Sequence, residues 1–402
     1  MDKRLSAAII YVSLCVVILL GMHFSGWIDL FSESSFLNWD AEHYHWIRNK
    51  GYEGFRVAFF PLFPFIWKLI PIGAIGVSVL NGCVFLVSFY FLIRQLGSSW
   101  KEVIVYLSIP GCIFFFLPYS EALFFLCSTL ILIGLRKNKM KWVYIGLLFA
   151  TISRPAFTIF IPALLLVEML SGDRKGSLQR IGMYLLSTAL GIILVGLFQF
   201  MDTGEWFTFF SVQSGWGNAL RLPEFPLTSW AGGFIVRLDG AAFLIGGIAG
   251  LVLLANLLKV GKIGKVKLPR ELVFSLAYLG GITLSVLLFR GGSLFSLNRF
   301  IFATPFILIA LHFWLNSAGE IRMKQLWMAF VVIFLFWFFF ASYVHIQVLA
   351  KFLFLSFYLW LILLVKSDKK WLRESAFFVL ILLNIVFQVI LFYRFMNNEW
   401  VG

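Results

Sequence analysis

One short polar stretch carries most of the residue types that could do chemistry in an otherwise apolar sequence. Residues 38–64 read NWDAEHYHWIRNKGYEGFRVAFFPLFP. Within them, Asp40, His43 and Tyr44 have the i, i+3, i+4 spacing that places three side chains on one face of a helix. A carboxylate there could take the proton of an attacking hydroxyl, and a histidine could orient that hydroxyl or bind phosphate.

Simpler roles for these side chains stay open at this point. Asp40 could cap a helix, since Asp is a favoured N-cap residue. His43 and His45 could be interfacial polar residues or two metal ligands, but no third ligand is evident, so we predict no metal site. Trp39 and Trp46 could stack on a sugar or belong to an aromatic belt at the membrane surface.

The rest of the chain has the composition of a polytopic membrane protein. Of its 402 residues, 61% are hydrophobic and 13% are charged, and the mean hydropathy is +0.93. Its apolar runs approach the ~20 residues that a spanning helix needs, without the alternating ~10-residue pattern of a membrane barrel. We predict a single all-α domain over residues 1–402, with about 11–13 transmembrane helices.

The distribution of basic residues predicts the topology. The net charge of +14 is spread over short segments between apolar runs, which indicates cytoplasmic loops and not nucleic-acid binding. Lys3 and Arg4 precede the first apolar run, so we place the N-terminus in the cytoplasm. Two large external loops follow, at 25–71 and 201–238. The apolar run 142–170 is broken near Arg154 by a proline, which predicts two short helices there.

Basic residues near the predicted outer face are not explained by cytoplasmic retention. For any one of them, contact with anionic lipid headgroups is the simpler interpretation. As a set beside carboxylates and aromatic residues, they predict a site for a lipid-linked phosphate. The set comprises Arg48, Lys50, Arg56, Arg154, Arg221, Arg237, Arg290, Arg299 and Lys351.

The second external loop is predicted to pack over the first, as a lid or an acceptor surface. An interfacial helix that dips its aromatic side chains into lipid is the alternative. The residues behind this expectation are Glu205, Trp206, Phe207, Trp216, Arg221, Pro223, Glu224, Pro226 and Trp230.

Four blocks of the sequence occur in an order that resembles a known family. They are 39–44 with 51–52 and 58–64, then 118–124, 151–154 and 345–353. These blocks resemble the PIG-V family, which comprises the second mannosyltransferase of GPI-anchor assembly and its bacterial relatives. The resemblance runs from near residue 38 to near residue 353.

The resemblance implies a GT-C glycosyltransferase. Such an enzyme transfers a hexose, here mannose-like, with inversion from a polyprenyl-phosphate donor to a lipid, glycan or protein acceptor on the extracytoplasmic side. In that superfamily the catalytic base is an acidic residue of the first external loop, which falls on Asp40. For substrate binding we predict Glu42, His43, Tyr44, Arg56, Glu121, Arg154, Arg221, Arg299, His345, Gln347 and Lys351.

No cofactor is predicted, because side-chain cations can stabilise a departing lipid phosphate, although Glu42 or Glu121 could bind a divalent cation. The chain contains no N-x-S/T sequon, which favours a bacterial plasma-membrane protein; a eukaryotic member would lie in the endoplasmic reticulum.

Two other functions remain as alternatives. One is a different transferase that modifies envelope lipids, and the other is a transporter or flippase of lipid-linked sugars. A transporter would carry several charges in mid-span, whereas the charges here cluster in predicted loops at one face. The clustering favours the enzyme.

Overall fold

The described part of the structure is entirely helical. The structure is a computed structural model that describes residues 2–170, 176–213, 215, 217–229, 235–263 and 268–402, and it contains no β-strand there. The α-helices are α1 (Lys3–Phe24), α2 (Asp40–Lys50), α3 (Leu62–Leu69), α4 (Ala74–Leu96), α5 (Trp100–Ser108), α6 (Glu121–Arg136), α7 (Met140–Ser153), α8 (Phe157–Leu170), α9 (Ser177–Thr203), α10 (Thr208–Ser211), α11 (Ile235–Ile263), α12 (Arg270–Phe289), α13 (Leu297–Phe302), α14 (Pro305–Asn316), α15 (Met323–Phe336), α16 (Ile346–Leu364) and α17 (Lys370–Met396). Shorter 3₁₀ helices cover Ser34–Phe36, Gly54–Ala58, Pro110–Phe116 and Trp337–Phe340.

Eight helices in the described ranges are long and apolar enough to cross a membrane, which confirms the prediction of an all-α polytopic membrane protein. They belong to α1, α4, α9, α11, α12, α15, α16 and α17, and a bent pair raises the number to nine. This is fewer than the 11–13 full spans that the sequence predicts. The difference arises because α7, α8 and α14 are apolar but only 12–14 residues long.

The predicted break near Arg154 is confirmed. Helix α7 ends at Ser153, and α8 begins at Phe157. Pro155 disfavours helical geometry in the residue before it, and Arg154 is extended, with φ −155° and ψ 158°. Each helix is about 21 Å long at 1.5 Å per residue. The break therefore places an arginine between two apolar helices.

A second break lies where the chain turns into α6. The 3₁₀ helix Pro110–Phe116 and α6 meet at an angle of 103°. The buried amide of Asn81, on α4, donates to the carbonyls of Leu117 at 2.6 Å and Tyr119 at 2.9 Å. These bonds satisfy backbone groups that the bend leaves without helical partners.

Aromatic packing holds the helices around both breaks. Phe85 of α4 stacks on Phe115 with ring centroids 4.0 Å apart. On the other side of α6, Phe306 of α14 lies 4.1 Å from the ring of Tyr278 of α12. Within α6, Phe125 meets Phe85 edge-on at 5.1 Å, and Phe124 lies 6.4 Å from the rings of both Tyr278 and Phe306. These contacts hold α6 between α4 and the α12–α14 pair.

The first predicted loop is joined to the end of α9. After α2 the chain turns at Gly51, whose φ is +81° and whose absent Cβ would lie 2.7 Å from the carboxylate of Asp202. The next residue, Tyr52, donates its backbone N–H to that carboxylate at 2.8 Å. Gln199 donates to the carbonyl of Val57 at 2.8 Å.

The second predicted loop contacts the first through its early residues. Phe209 of α10 packs against Phe60 with ring centroids 5.2 Å apart. Trp206 instead lies exposed and stacks on Phe200 of α9 at 4.9 Å. Trp216 and Trp230 lie outside the described residues. Packing of this segment on the first loop is therefore observed, whereas a lid function stays a prediction.

Candidate active site

A cavity of about 740 Å³ opens where helix ends and loops meet. Its wall is built by α2, the segment after it, the α7–α8 break, the second loop, residues 290–300 and Trp400. The ionisable side chains along it are Asp40, His43, Tyr44, Arg154, Arg221, Arg290 and Arg299. About half of the lining residues are aromatic or apolar, and the others are polar or charged.

A fully buried carboxylate lies behind the cavity wall and joins two of its arginines. Oε1 of Glu121 accepts hydrogen bonds from Nη2 of Arg154 and from Nε of Arg299. Nη1 of Arg299 forms an ion pair with Oδ2 of Asp40 at 2.6 Å. The result is a chain of alternating charges, Arg154–Glu121–Arg299–Asp40, that brings four separate parts of the sequence together. Such pairing compensates for the burial of the charges.

Local structure explains why these groups meet. Glu121 is the first residue of α6, where the helix dipole favours a negative charge. Arg154 reaches the same place from the α7–α8 break, and Arg299 from the short helix α13. Burial opposes the charge of Arg299, but Asp40 and Glu121 raise its pKa well above the usual value.

Tyr44 links α2 to this chain of charges. Its hydroxyl donates to Oγ of Ser120 at 2.9 Å, and Nε of Arg154 donates to the same oxygen at 3.0 Å. Burial is the largest of the influences that raise the pKa of Tyr44 to about 12, so the hydroxyl stays protonated at neutral pH. Tyr44 is therefore a fixed hydrogen-bond donor that sets the position of α2.

Asp40 is the carboxylate of the cavity. It is the first residue of α2, and Trp39 before it takes φ 57°, so the N-cap position belongs to Trp39 and not to Asp40. Its side chain is 17% exposed, and Oδ1 has no hydrogen-bond partner among the described residues. One oxygen is thus held by Arg299, and the other is available to a ligand.

His43 lies one helical turn from Asp40, as the spacing predicts, and lines the same cavity. Burial lowers its pKa, against the opposing effect of Asp40, so the ring is neutral near pH 7. The rings of Phe55 and Phe59 lie 5.3 Å and 4.9 Å from it. A neutral imidazole in this position can orient a hydroxyl group without adding positive charge.

Two cavity residues are not among the substrate-binding residues that the sequence analysis predicts. Arg290 appears there only as one of the outer basic residues that together predict a phosphate site, and Trp400 is not named at all. Trp400 stacks on Phe295 at 4.8 Å and meets Trp39 edge-on at 5.0 Å. The Arg-Gly-Gly sequence at 290–292, directly after an apolar span, is the signal that could have identified Arg290.

Several predicted site residues are not brought to the cavity. Glu42 is exposed, and Arg56 stacks over Trp46 at 4.1 Å outside the cavity wall. His345, Gln347 and Lys351 are exposed at the start of α16 and do not line the cavity. Of the predicted set, the cavity gathers Asp40, His43, Tyr44, Arg154, Arg221 and Arg299, and Glu121 lies behind its wall.

Metal binding has no visible candidate in the part of the chain that the structure describes. No three His, Cys, Asp or Glu side chains come together there in a way that could hold an ion.

Comparison with known proteins adds no assignment. A scan against models of known protein families finds no match, and a search of curated proteins finds no significant match.

Proposed function

We propose that the protein is a membrane glycosyltransferase that moves a hexose from a polyprenyl-phosphate donor to an acceptor hydroxyl. The observation that carries this proposal is the cavity itself. It combines a carboxylate that has one free oxygen, several arginines and aromatic walls, at the ends of apolar helices. The resemblance of the first-loop block to GT-C enzymes points to the same residue, Asp40.

The reaction is a single in-line displacement at the anomeric carbon. The acceptor hydroxyl gives its proton to Oδ1 of Asp40 while its oxygen attacks that carbon. The bond between the anomeric carbon and the phosphate oxygen breaks, and the polyprenyl phosphate leaves with the electron pair. The configuration at the anomeric carbon is inverted, and cations in the cavity stabilise the charge on the leaving phosphate.

Arg299 orients Asp40. Its Nη1 holds Oδ2 of the carboxylate at 2.6 Å, so Oδ1 is the oxygen that can take the proton of the acceptor hydroxyl. Glu121 binds the same guanidinium through Nε and so fixes the position of Arg299 from the buried side.

The size of the cavity suits this substrate class. Ligand pockets usually have volumes of ~300–1,000 Å³, and about 740 Å³ accommodates a hexose, its phosphate and an acceptor group. Trp39, Phe295 and Trp400 offer aromatic surfaces for a sugar. The polyprenyl tail would remain among the apolar helices outside the cavity.

A transport function is the second candidate. Arg154 and Glu121 lie at breaks between apolar helices, and discontinuous helices also build the substrate sites of transporters. This placement weakens the argument that all the charges belong to loops. The distinction then depends on whether a covalent product forms.

The test uses purified wild-type protein in lipid nanodiscs with a radiolabelled polyprenyl-phosphate hexose and a panel of lipid and oligosaccharide acceptors. We expect label in an acceptor, with an inverted anomeric centre by NMR. Movement of the intact donor across a liposome bilayer without any transfer would support the transporter instead. Mass spectrometry of envelope glycans in a deletion strain would identify the natural acceptor.

A further inference from the structure

We propose that Arg290, together with Arg221, binds the phosphate of the lipid-linked donor, and that Arg154 and Arg299 do not. This inference rests on the proposed function and assigns different tasks to the four arginines of the cavity. It also gives a role to a residue that the resemblance to known enzymes does not mark.

Arg154 and Arg299 already have anionic partners within the protein. Glu121 binds both of them, and Arg299 also holds Asp40. A phosphate at these guanidiniums would compete with a fully buried carboxylate for the same positive charge, and a buried carboxylate that loses its partner is strongly destabilising. Their positive charge is therefore used inside the protein to place the base.

Arg290 has no such partner. Its Nη1 donates to the carbonyl of Phe295, and its Nε donates to Oδ1 of Asn218 at 3.4 Å. No carboxylate in the described ranges forms an ion pair with it, and its Nη2 has no partner there. Two neutral acceptors, together with the rings of Phe295 and Phe300 at 5.2 Å and 6.0 Å from Cζ, thus orient the guanidinium without neutralising its charge.

The surroundings of Arg290 favour an incoming anion. Burial lowers the pKa of Arg290 to about 10, and Asp239 opposes this only from a distance. The carboxylate of Asp239 instead accepts hydrogen bonds from Ser229 at 2.6 Å and from the backbone and side chain of Asn298, each at 2.8 Å. A phosphate at Arg290 would supply the counter-charge that the protein does not.

Arg221 lies against the Gly291–Gly292 turn that directly follows Arg290. Gly291 has φ +57°, and a Cβ there would lie 2.4 Å from Nε of Arg221. The backbone N–H groups of Arg221 and Glu224 donate to the carbonyls of Leu288 at 3.0 Å and of Gly291 at 3.1 Å. Glycine at 291 thus permits the close approach. The side chains of Arg221 and Arg290 donate to adjacent residues, to the carbonyl of Gly217 at 3.3 Å and to Oδ1 of Asn218 at 3.4 Å, so both guanidiniums reach one region of the cavity wall.

Two arginines can bind a phosphate through forked hydrogen bonds, which suits both the donor diester and the departing monoester. The task of the cavity is then divided. The first loop supplies the base through Asp40, and the loops around Arg221 and Arg290 hold the leaving group.

The test measures binding, so it does not depend on sugar transfer. Purified full-length protein in uncharged detergent is titrated with tritium-labelled polyprenyl phosphate, with polyprenol and inorganic phosphate as competitors. We expect Arg290→Gln to weaken binding by about 10- to 100-fold and Arg221→Gln by a smaller factor. Arg290→Lys should fall between wild type and Arg290→Gln, because the charge stays but the fork is lost.

Arg94→Gln is the matched control, because Arg94 is exposed in the last turn of α4, lies outside the predicted phosphate-binding set and does not line the cavity. Its affinity should equal that of the wild type. Arg221 is exposed, so Arg221→Gln folds even if Arg290→Gln proves unstable. Unchanged affinity in both Gln variants would overturn the assignment, as would inorganic phosphate that competes as well as the lipid. Arginine-dependent binding without any sugar transfer would support this phosphate site while refuting the transferase.

Discussion

Two buried glutamates in this protein each hold two arginines, yet only one of them lies behind a cavity. Glu168 of α8 accepts hydrogen bonds from Arg180 through both oxygens, from Arg270, and from the hydroxyl of Tyr184 at 2.9 Å. Glu121 binds its two arginines through Oε1, and its buried Oε2 has no partner among the described residues. Both oxygens of Glu168 are therefore paired, whereas the cluster of Glu121 leaves one oxygen unpaired and extends through Arg299 to Asp40 at the cavity.

This difference separates a structural ion cluster from one that serves a site. At Glu168 both carboxylate oxygens accept hydrogen bonds from side chains of α9 and α12, and this network ties α8, α9 and α12 together. At Glu121, the shared Arg299 also positions the carboxylate of Asp40, whose Oδ1 has no hydrogen-bond partner among the described residues. An incomplete network next to a cavity is thus more informative about function than the presence of buried charge alone.

Neutralising each glutamate in turn tests this difference most strongly. Glu121→Gln and Glu168→Gln should each lower the free energy of unfolding by about 3–5 kcal/mol, because each leaves buried arginines without their carboxylate. Only Glu121→Gln should also abolish sugar transfer at temperatures where the variant is folded, since Arg299 then loses the partner that it shares with Asp40. Thermal unfolding and transfer are measured on the same preparations. Equal loss of transfer in the Glu168→Gln variant would remove the distinction.

The tyrosine next to each cluster offers a second test of the difference between the two clusters. Tyr184→Phe removes a hydrogen bond to a charged group and should destabilise the protein by about 1.5–3 kcal/mol without affecting transfer in the folded protein. Tyr44→Phe removes a hydrogen bond to the Ser120 hydroxyl, which should cost about 1 kcal/mol. Because that bond orients α2, its transfer rate should also fall. A Tyr44→Phe variant with wild-type turnover would show that α2 is positioned by other contacts.

The smallest expected effect concerns pH and His43. Above the ordinary His pKa of ~6.5, the ring is neutral in both the folded and the unfolded state, so protonation of His43 does not change the stability there. Burial lowers the pKa of His43 in the folded state. As the pH falls below ~6.5, the unfolded state therefore binds the proton first, and the stability of the folded state falls. In thermal unfolding between pH 8 and pH 5, His43→Asn should therefore lose less stability on acidification than the wild type. Identical pH dependence in the two proteins would contradict the buried neutral ring.

The sequence predicts the class of fold and part of the site for clear physical reasons. Hydropathy indicates spanning helices, the proline at 155 indicates a break, and helical spacing places Asp40 and His43 on one face. These are local properties.

What could not be predicted depends on packing between distant segments. Glu121 and Arg299 are 178 residues apart, and nothing local indicates that they pair or that Glu121 lies behind the cavity wall. The same holds for Trp400 and for the contact between Gly291 and Arg221. The described residues contain fewer full-length apolar helices than the 11–13 predicted spans, because apolar composition does not distinguish a spanning helix from a shorter apolar one.

The central claim is that Asp40 is the base of a transfer reaction in this cavity. The most direct measurement compares donor binding and sugar transfer in wild type, Asp40→Asn, Glu42→Gln and the matched acid-to-amide control Glu53→Gln, an exposed residue of the same loop. We expect Asp40→Asn to lower turnover by roughly 10²- to 10⁴-fold, with donor affinity little changed and Glu53→Gln unaffected. Near-wild-type turnover in Asp40→Asn would contradict the claim, and loss only in Glu42→Gln would move the base two residues along the same helix.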